Sequence, residues 1–352
     1  MTIPEICLLL EQHGGIDLFL QEGKPPLTRI DGTLQAIADS SLEREALLQF
    51  WAECGAPAES QDFDAAYTAP TGTRYRASLY LHMGKLGAVL RRLKTSVPSM
   101  EELGLPAPLI SDWLLRKAGL ILVTGPTGSG KTTSVAAMLD WLNHHASRHI
   151  VTIEDPIEYL FEDRTSLFSR REIGIDTQSY LSGLKHALRQ SPDVIMLGEI
   201  RDVLTAATTL QACETGHLVI ATLHSSSAVE AIERFTRLFG QEERESVSMV
   251  LGAQLLGVID QRLLGGIDGA FHLAVEHFEN QGVSRRYIQE NRWKELMDLV
   301  QRDDNPANRS LLRSLVALVQ EGRIEEESAR RQLHNPQDLQ RAMKGILSNG
   351  NR

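Results

Sequence analysis

Cysteine pairs, long apolar runs and excess positive charge are all missing from this sequence. Its three cysteines, Cys7, Cys54 and Cys213, stand far apart without a C-x-x-C spacing. Neither a disulfide framework nor a thiolate zinc site is therefore predicted. No apolar run approaches the roughly 18–20 residues that a membrane-spanning helix needs, and the first residues, MTIPEICLLLEQ, lack the positive charge of a signal peptide. We therefore expect a cytoplasmic protein with no membrane insertion.

The balance of charge excludes another class of protein. A net charge of −10 argues against a broad basic surface for nucleic acid, so no nucleic-acid partner is expected. Apolar content of 42% and charged content of 23% are ordinary for a globular protein. A chain of 352 residues has room for two domains, each with its own core.

The order of apolar segments predicts a mixed α/β fold. Before residue 97, helical spacing alternates with strand-like alternation, and a hairpin turn is predicted at Asp31-Gly32. Prolines and glycines punctuate a linker at 98–110. Beyond it, near-continuous apolar strands separated by helix-length segments predict a parallel sheet covered on both faces. These strands are Leu120–Thr124, Ile150–Ile153, Val194–Leu197 and Leu218–Leu223. A charged, helical region follows from 276, and the last five residues, SNGNR, are expected to be disordered.

A phosphate-binding loop is the strongest signal in the chain. The pattern G-x-x-x-x-G-K-[ST] stands between an apolar strand and a helical segment, where backbone N–H groups at a helix N-terminus attract phosphate. Lys131 would reach the β- and γ-phosphates, and the Thr132 hydroxyl would bind Mg²⁺. The alternative is a Gly-rich turn with a chance lysine. The predicted nucleotide-binding residues are Gly125, Pro126, Thr127, Gly128, Ser129, Gly130, Lys131, Thr132 and Thr133.

Gly198-Glu199 follows the apolar strand Val194–Leu197 and gives the second signal. Glu199 would emerge at the carboxyl end of its strand, where α/β sheets place ligands. There it could orient the attacking water or hold Mg²⁺, and Gly198 would leave space beside the phosphates. The alternative is an acidic helix cap after a core strand.

Two further polar groups follow predicted strands. At the end of one strand lie three carboxylates, Glu154, Asp155 and Glu158. Their mutual repulsion is costly unless a cation such as Mg²⁺–nucleotide neutralises it. The alternative is a solvated acidic turn. His217 and His224 flank another strand, about 23 Å apart and too far to share a metal ion. His224 stands at the end that should face the nucleotide, where it could sense the γ-phosphate.

Arginines in the first domain are candidates for a positive charge that is supplied to the nucleotide site from outside the P-loop domain. Arg74 and Arg76 alternate onto one face of a strand, and Arg91-Arg92 follow on the next. A P-loop motor needs cationic charge in its transition state, which is often supplied in trans. A solvated basic strand face is the alternative.

The motifs in this order resemble the secretion-type ATPases of type IV pili and type II secretion. They read GPTGSGKT, TIEDPIEY, DVIMLGEIRD and ETGHLVIATLHSSSA, and the likeness extends to GGIDLFLQEGKPPLTRIDG, RYRASLY and the MEELGLP linker. Within that family the chain looks like the PilT/PilU retraction ATPases, because it lacks the four-cysteine module typical of assembly ATPases. Asp17-Leu18-Phe19-Leu20 and the segment Val283–Glu290, a poor match to the family's retraction helix, lean toward the PilU-like members.

The resemblance implies a fold, an activity and a set of site residues. The fold would be a PAS-like α/β domain at 1–97, a linker at 98–110, a RecA-like P-loop ATPase core at 111–275 and C-terminal helices at 276–352. ATP and Mg²⁺ would be bound, with Thr132 and Glu199 at the metal. The catalytic set would be Glu199, the acidic-box Glu158, the histidine pair His217 and His224, and the first-domain arginines Arg76 and Arg91.

The resemblance also implies an assembly and a role. The subunits would form a hexameric ring that docks to an inner-membrane pilus platform protein at the inner face of that membrane. ATP hydrolysis would then power pilus retraction, as in twitching motility, DNA uptake or adhesion. The alternatives are an assembly or type II secretion ATPase, an accessory subunit that needs a second retraction ATPase, and a DNA-translocating motor.

Overall fold

A computed structural model describes residues 1–30, 33–57, 60–302 and 305–344. The predicted turn at Asp31-Gly32 and the C-terminal tail at 348–352 lie outside the described residues. The chain divides into two units: Met1–Thr95 with Ile157–Leu160, and Ser96–Pro156 with Phe161–Arg352. Among the described helices, none combines the length and the apolar character needed to cross a membrane.

The first unit is an antiparallel sheet with two helices. Its strands lie in the order β3-β2-β1-β6-β5-β4. Alternation along β5 buries Tyr75, Ala77 and Leu79, which pack with the apolar faces of α1 and α2. The elements are α1 (Ile3–Gln12), β1 (Asp17–Gln21), β2 (Leu27–Ile30), β3 (Thr33–Ala36), α2 (Arg44–Glu53), β4 (Asp62–Thr68), β5 (Arg74–His82) and β6 (Lys85–Arg92).

The second unit is built on a seven-stranded sheet in the order β13-β12-β7-β11-β10-β8-β9. All neighbouring strands are parallel except β12 and β13. The strands are β7 (Gly119–Thr124), β8 (His149–Glu154), β9 (Leu167–Glu172), β10 (Val194–Leu197), β11 (Leu218–Leu223), β12 (Leu255–Gly265) and β13 (Phe271–Glu279). Every residue of β7, β10 and β11 is buried, as the apolar runs predict for central parallel strands.

Helices of the second unit include several with side-chain caps. Asp202 caps α6 by accepting from the N–H of Thr205 at 2.8 Å, and Ser227 caps α7. The helices are α3 (Ala107–Leu114), α4 (Lys131–His145), α5 (Tyr180–Ala187), α6 (Val203–Glu214), α7 (Ala228–Arg237), α8 (Arg244–Gln254), α9 (Val283–Gln289), α10 (Trp293–Gln301), α11 (Leu311–Gln320), α12 (Glu326–Arg330) and α13 (Gln337–Met343).

The two units do not follow the predicted boundaries in every place. Helix α3 begins inside the segment predicted as a linker at 98–110, which belongs to the second unit. Strand β13 crosses the boundary predicted at 275/276, because its residues continue the antiparallel pairing with β12 to Glu279. The helices of the C-terminal region therefore begin at α9.

Candidate nucleotide site

The P-loop connects buried strand β7 to helix α4, whose N-cap is Gly130. Gly125 has a φ of 143°, and a Cβ there would lie 2.5 Å from the carbonyl oxygen of Gln261. Gly128 has a φ of 79°, and a Cβ at that residue would meet no atom within 4 Å. At Gly125, where the loop begins, only glycine fits because the backbone of β12 lies so close. At Gly128, in the middle of the loop, there is free space around the position of a Cβ.

Lys131 folds back on the loop that precedes it. Its Nζ donates to the carbonyl oxygens of Gly125 at 2.9 Å and Pro126 at 3.0 Å, and lies 3.4 Å from Nδ1 of His224. Burial lowers the pKa of Lys131, while the nearby carboxylates of Glu199 and Asp260 oppose that shift. Thr132 and Thr133 follow in the first turn of α4. The structure therefore gathers the predicted lysine and the predicted histidine beside the loop.

Glu199 lies two residues beyond β10, on the side of the sheet where β7 and β11 also end. Its Oε1 lies 3.4 Å from Nε2 of His224, and its Oε2 accepts from Nε of Arg201 at 2.7 Å. The sequence predicts that Gly198 leaves space beside the phosphates, and the structure places the hydroxyl of Tyr180 against this residue. A Cβ at Gly198 would lie 2.8 Å from Oη of Tyr180, so the glycine makes room for that hydroxyl.

The two histidines stand at opposite ends of β11. His224 follows the strand and lies between Lys131 and Glu199. His217 precedes it, and its Nδ1 lies 3.0 Å from the carbonyl oxygen of Ala212 and 3.2 Å from Oγ1 of Thr215. The structure thus brings His224 to the P-loop and places His217 at the end of α6.

The acidic segment does not form the cation-binding cluster that the sequence predicts. Glu154 is the buried last residue of β8, whereas Glu158 belongs to the first unit, where its carbonyl oxygen accepts from the N–H of Lys94 at 3.0 Å. Across the described residues, no group of three or more His, Cys, Asp or Glu side chains is arranged to hold a metal ion. Because the chain passes from the second unit into the first at Ile157, carboxylates that are close in sequence belong to different units.

The arginines of the first unit lie opposite each other on neighbouring strands. Arg76 of β5 pairs in register with Arg91 of β6. Arg91 donates from Nε and Nη2 to the carboxylate of Asp17 at 2.6 and 3.0 Å, and this hydrogen bond raises the pKa of Arg91. Arg76 lies 3.7 Å from the carboxylate of Asp64, and its Nε is buried without a hydrogen-bond partner. Both guanidinium groups thus have an acidic partner in this unit, and Arg76 keeps one N–H unused.

Sequence reasoning missed three polar residues of β12 behind the P-loop. Gln261 donates from Nε2 to the carbonyl oxygen of Ser129 at 2.7 Å. Arg262 donates to Asp260 at 2.7 Å and to the carbonyl oxygen of Ser226 at 2.5 Å, which ties β12 to the chain after His224. All three are buried, and burial raises the pKa of Asp260 to about 7. The signal in the sequence was the D-Q-R run inside an apolar strand.

A cavity of about 400 Å³ adjoins the first turn of α4. Gly130, Thr133 and Ser134 line one side, and the exposed ring of Phe271 lines another. The side chain of Leu263, from the neighbouring strand, completes an apolar surface. The sequence analysis does not identify the residues that contact the base.

Comparison with known proteins identifies the family. Residues 75–306 match the model of type II/IV secretion system proteins. The chain is 36% identical over 347 residues to the type IV pilus retraction ATPase PilT of Pseudomonas aeruginosa, covering 96% of this chain and 100% of that protein. It is 34% identical over 351 residues to the type IV pilus ATPase PilU of the same organism, covering 98% and 92%.

A solved structure of a PilT protein has the same fold as this chain. A crystal structure of the pilus retraction motor PilT with bound ADP has a TM-score of 0.89 to this chain at 36% identity, covering 97% of this chain and 99% of that one. The predicted α/β fold with a RecA-like ATPase core is thereby confirmed. The chain belongs to the type II/IV secretion system protein family and, within it, to the PilT/PilU group of ATPases.

Proposed function

We propose that this chain is a motor ATPase that hydrolyses Mg²⁺–ATP to power retraction or disassembly of a type IV pilus-like fibre. The observation that carries the proposal is the alignment of Lys131, His224 and Glu199 at the carboxyl ends of three central strands, with separations of 3.4 Å at each step. Full-length similarity to a pilus retraction ATPase supports the mechanical role.

The P-loop residues fit a magnesium–nucleotide complex. Gly125 and Gly128 have positive φ values that let the loop turn its N–H groups inward, and the loop ends on a helix N-terminus. Lys131 would bind the β- and γ-phosphates, Thr132 would hold Mg²⁺ through its hydroxyl, and Glu199 would approach the metal through water. The bound Mg²⁺ supplies neutralisation of phosphate charge.

Glu199 and His224 are the groups of this unit that would act on the attacking water. The carboxylate of Glu199 has Oε1 turned to the P-loop side, where it could accept a hydrogen bond from water and orient it. Burial and then the ammonium of Lys131 lower the pKa of His224, which favours the neutral ring. A neutral His224 would sense the position of Lys131 without adding a charge.

The remaining charge would come from a neighbouring subunit in a homohexameric ring. Arg76 and Arg91 lie in register in the first unit. The unpartnered N–H of Arg76 would donate to a γ-phosphate, and Arg91 would exchange the carboxylate of Asp17 for the same phosphate. Glu158, in the same unit, would contribute the acidic-box carboxylate, and His217 the second histidine. Hydrolysis around the ring would then convert domain rotation into work on the pilus base.

The base of the nucleotide would enter the cavity beside α4. An exposed aromatic ring gives a stacking surface, and Phe271 lines this cavity together with P-loop residue Gly130. The size of the cavity, about 400 Å³, suits a purine with part of its ribose.

The partners follow from the same proposal. The ring would act in the cytoplasm, held at the inner face of the inner membrane by a pilus platform protein. A second retraction ATPase would share the machine if this chain is an accessory subunit. The chain is 34% identical to PilU, so the experiment below is designed to distinguish an accessory subunit from an autonomous motor.

The test is fibre number and retraction in a deletion strain of the source bacterium. Deletion should leave surface fibres in excess and stop retraction, and a plasmid with the wild-type gene should restore it while Glu199→Gln should not. Loss of fibres on deletion would instead indicate an assembly or secretion ATPase. A double deletion with any neighbouring retraction ATPase separates the autonomous motor from the accessory subunit.

A further inference from the structure

Arg201 makes a direct contact with the carboxylate of Glu199. Its Nε donates to Oε2 at 2.7 Å, and this hydrogen bond raises the pKa of Arg201. The guanidinium carbon also lies 5.9 Å from the centre of the Tyr180 ring, within the range of a cation–π interaction. The side chain of Arg201 is 60% exposed, whereas that of Glu199 is only 17% exposed.

The backbone on either side of this pair is held in place. Ile200, between the two residues, is buried, and its N–H donates to the carbonyl oxygen of Thr222 at 3.1 Å. The next residue, Asp202, is the N-cap of α6 and accepts from the N–H of Thr205 at 2.8 Å. The pair therefore rests on a fixed main chain, and its geometry depends on the side chains alone.

The contact leaves the second carboxylate oxygen of Glu199 on the side of the P-loop. With Oε2 engaged by Arg201, Oε1 lies 3.4 Å from Nε2 of His224, whose Nδ1 faces Lys131. A free glutamate side chain would rotate among several rotamers, and a misplacement of 1 Å can cost about a hundredfold in rate. An exposed ion pair contributes little to stability, so its value here lies in orientation.

We propose that Arg201 is a positioning residue that binds one carboxylate oxygen of Glu199 and so holds the other oxygen toward the P-loop, and that the Tyr180 ring supports Arg201 in that position. This inference rests on the proposed role of Glu199 in ATP hydrolysis. Within the described part of the chain, the hydrogen bond, the ion pair and the ring contact of Arg201 are with Glu199 and Tyr180, and its charge also acts on His224 and Asp155. Because its one hydrogen-bonded side-chain partner among the described residues is Glu199, we expect Arg201 to act through that carboxylate.

The first experiment compares Arg201→Gln with wild type in a steady-state ATPase assay. The kcat should fall about tenfold to a hundredfold, while KM for ATP and the affinity for a fluorescent ADP analogue should stay within about twofold. Arg201→Lys should recover part of the kcat, because an ammonium still pairs with Oε2 through fewer fixed donors. Arg237→Gln is the matched control: Arg237 on α7 is 64% exposed, pairs with Glu233 at 2.5 Å, and should leave all values unchanged.

A double-mutant cycle separates positioning from a general structural role. In the Glu199→Gln background, Arg201→Gln should cause no further loss of the residual hydrolysis. An unchanged kcat in Arg201→Gln, a KM that rises by as much as kcat falls, or an equal loss in both backgrounds would overturn the proposal. Failure of the proposed function looks different: Glu199→Gln alone would then hydrolyse ATP at the wild-type rate.

Discussion

The ammonium of Lys131 lies 3.4 Å from Nδ1 of His224, and this contact joins the P-loop to the end of β11. An ammonium can only donate, so Nδ1 must accept and the proton of a neutral ring must sit on Nε2. That nitrogen lies 3.4 Å from Oε1 of Glu199. The lysine, the histidine and the glutamate thus form one row of polar contacts. Because Lys131 can only donate, it fixes the direction of donation along the row, from Lys131 to His224 and from His224 to Glu199.

The stability of the protein should depend on pH through His224. Burial and then Lys131 lower its pKa in the folded state; Glu199 opposes this, and Arg234 and Arg201 add to it. When the pKa of a histidine is lower in the folded than in the unfolded protein, its contribution to the free energy of unfolding is fully present above the unfolded-state pKa of about 6.5. This contribution is lost as the pH falls through the folded-state pKa. We therefore expect the free energy of unfolding of wild type, relative to His224→Gln, to fall as the pH drops from about 7 to about 5.

Urea denaturation of the nucleotide-free protein at several pH values checks this. His186→Gln, which changes an exposed histidine of α5, should follow the wild-type curve at every pH. Parallel curves for wild type and His224→Gln would contradict the expected neutral histidine.

Gly125→Ala should both destabilise the protein and abolish nucleotide binding. The new Cβ would lie 2.5 Å from the carbonyl oxygen of Gln261, and the φ of 143° strains any side chain. We expect a loss of about 1–3 kcal/mol for the strain alone, and more with the clash. Gly322→Ala is the control, since its φ is 69° but no atom lies within 4 Å. Thermal unfolding and a fluorescent ADP analogue measure the two effects, and equal losses in both variants would show that contact with β12 is unimportant.

Phe271→Ala should weaken ATP binding without slowing the chemical step. Stacking of a base on an aromatic ring is worth on the order of 1–3 kcal/mol, so KM for ATP should rise about tenfold or more while kcat stays constant. Ile267→Ala is a suitable control, because this residue is also exposed near the β12–β13 turn but does not line the cavity. An unchanged KM in Phe271→Ala would place the base elsewhere.

Mixing two inactive variants should restore part of the ATPase activity if Arg76 acts in trans. Lys131→Ala subunits keep Arg76, and Arg76→Ala subunits keep the P-loop, so a mixed ring contains some complete sites. Activity should peak near an equimolar mixture and exceed the sum of the separate variants. A linear dependence on the mixing ratio would mean that each subunit uses its own arginine. Arg29→Ala, an exposed arginine of β2, serves as the control that is active without mixing.

The sequence was sufficient for the elements with a clear apolar pattern. Strands β7, β10 and β11 are buried along their whole length and were predicted within one residue at each end. Strands β9 and β12 were not predicted. The edge strand β9 carries Arg170-Arg171-Glu172 and so lacks an apolar run, and β12 buries Asp260-Gln261-Arg262 in its middle.

In the candidate site, too, some residues could be predicted from the sequence and others could not. Lys131 and Glu199 each follow an apolar strand, so their meeting at one edge of the sheet could be predicted. Arg201 and Gln261 could not, because their roles arise from contacts across the fold to Glu199 and Ser129. Local spacing also placed Glu158 beside Glu154, whereas the chain carries Glu158 into the other unit.

ATP hydrolysis by Glu199→Gln is the most direct test of the central claim. The substitution keeps the size of the side chain and removes the carboxylate charge beside His224 and Arg201. We expect kcat to fall by about a hundredfold or more, with affinity for a fluorescent ADP analogue within about twofold of wild type. Hydrolysis at the wild-type rate would contradict the account.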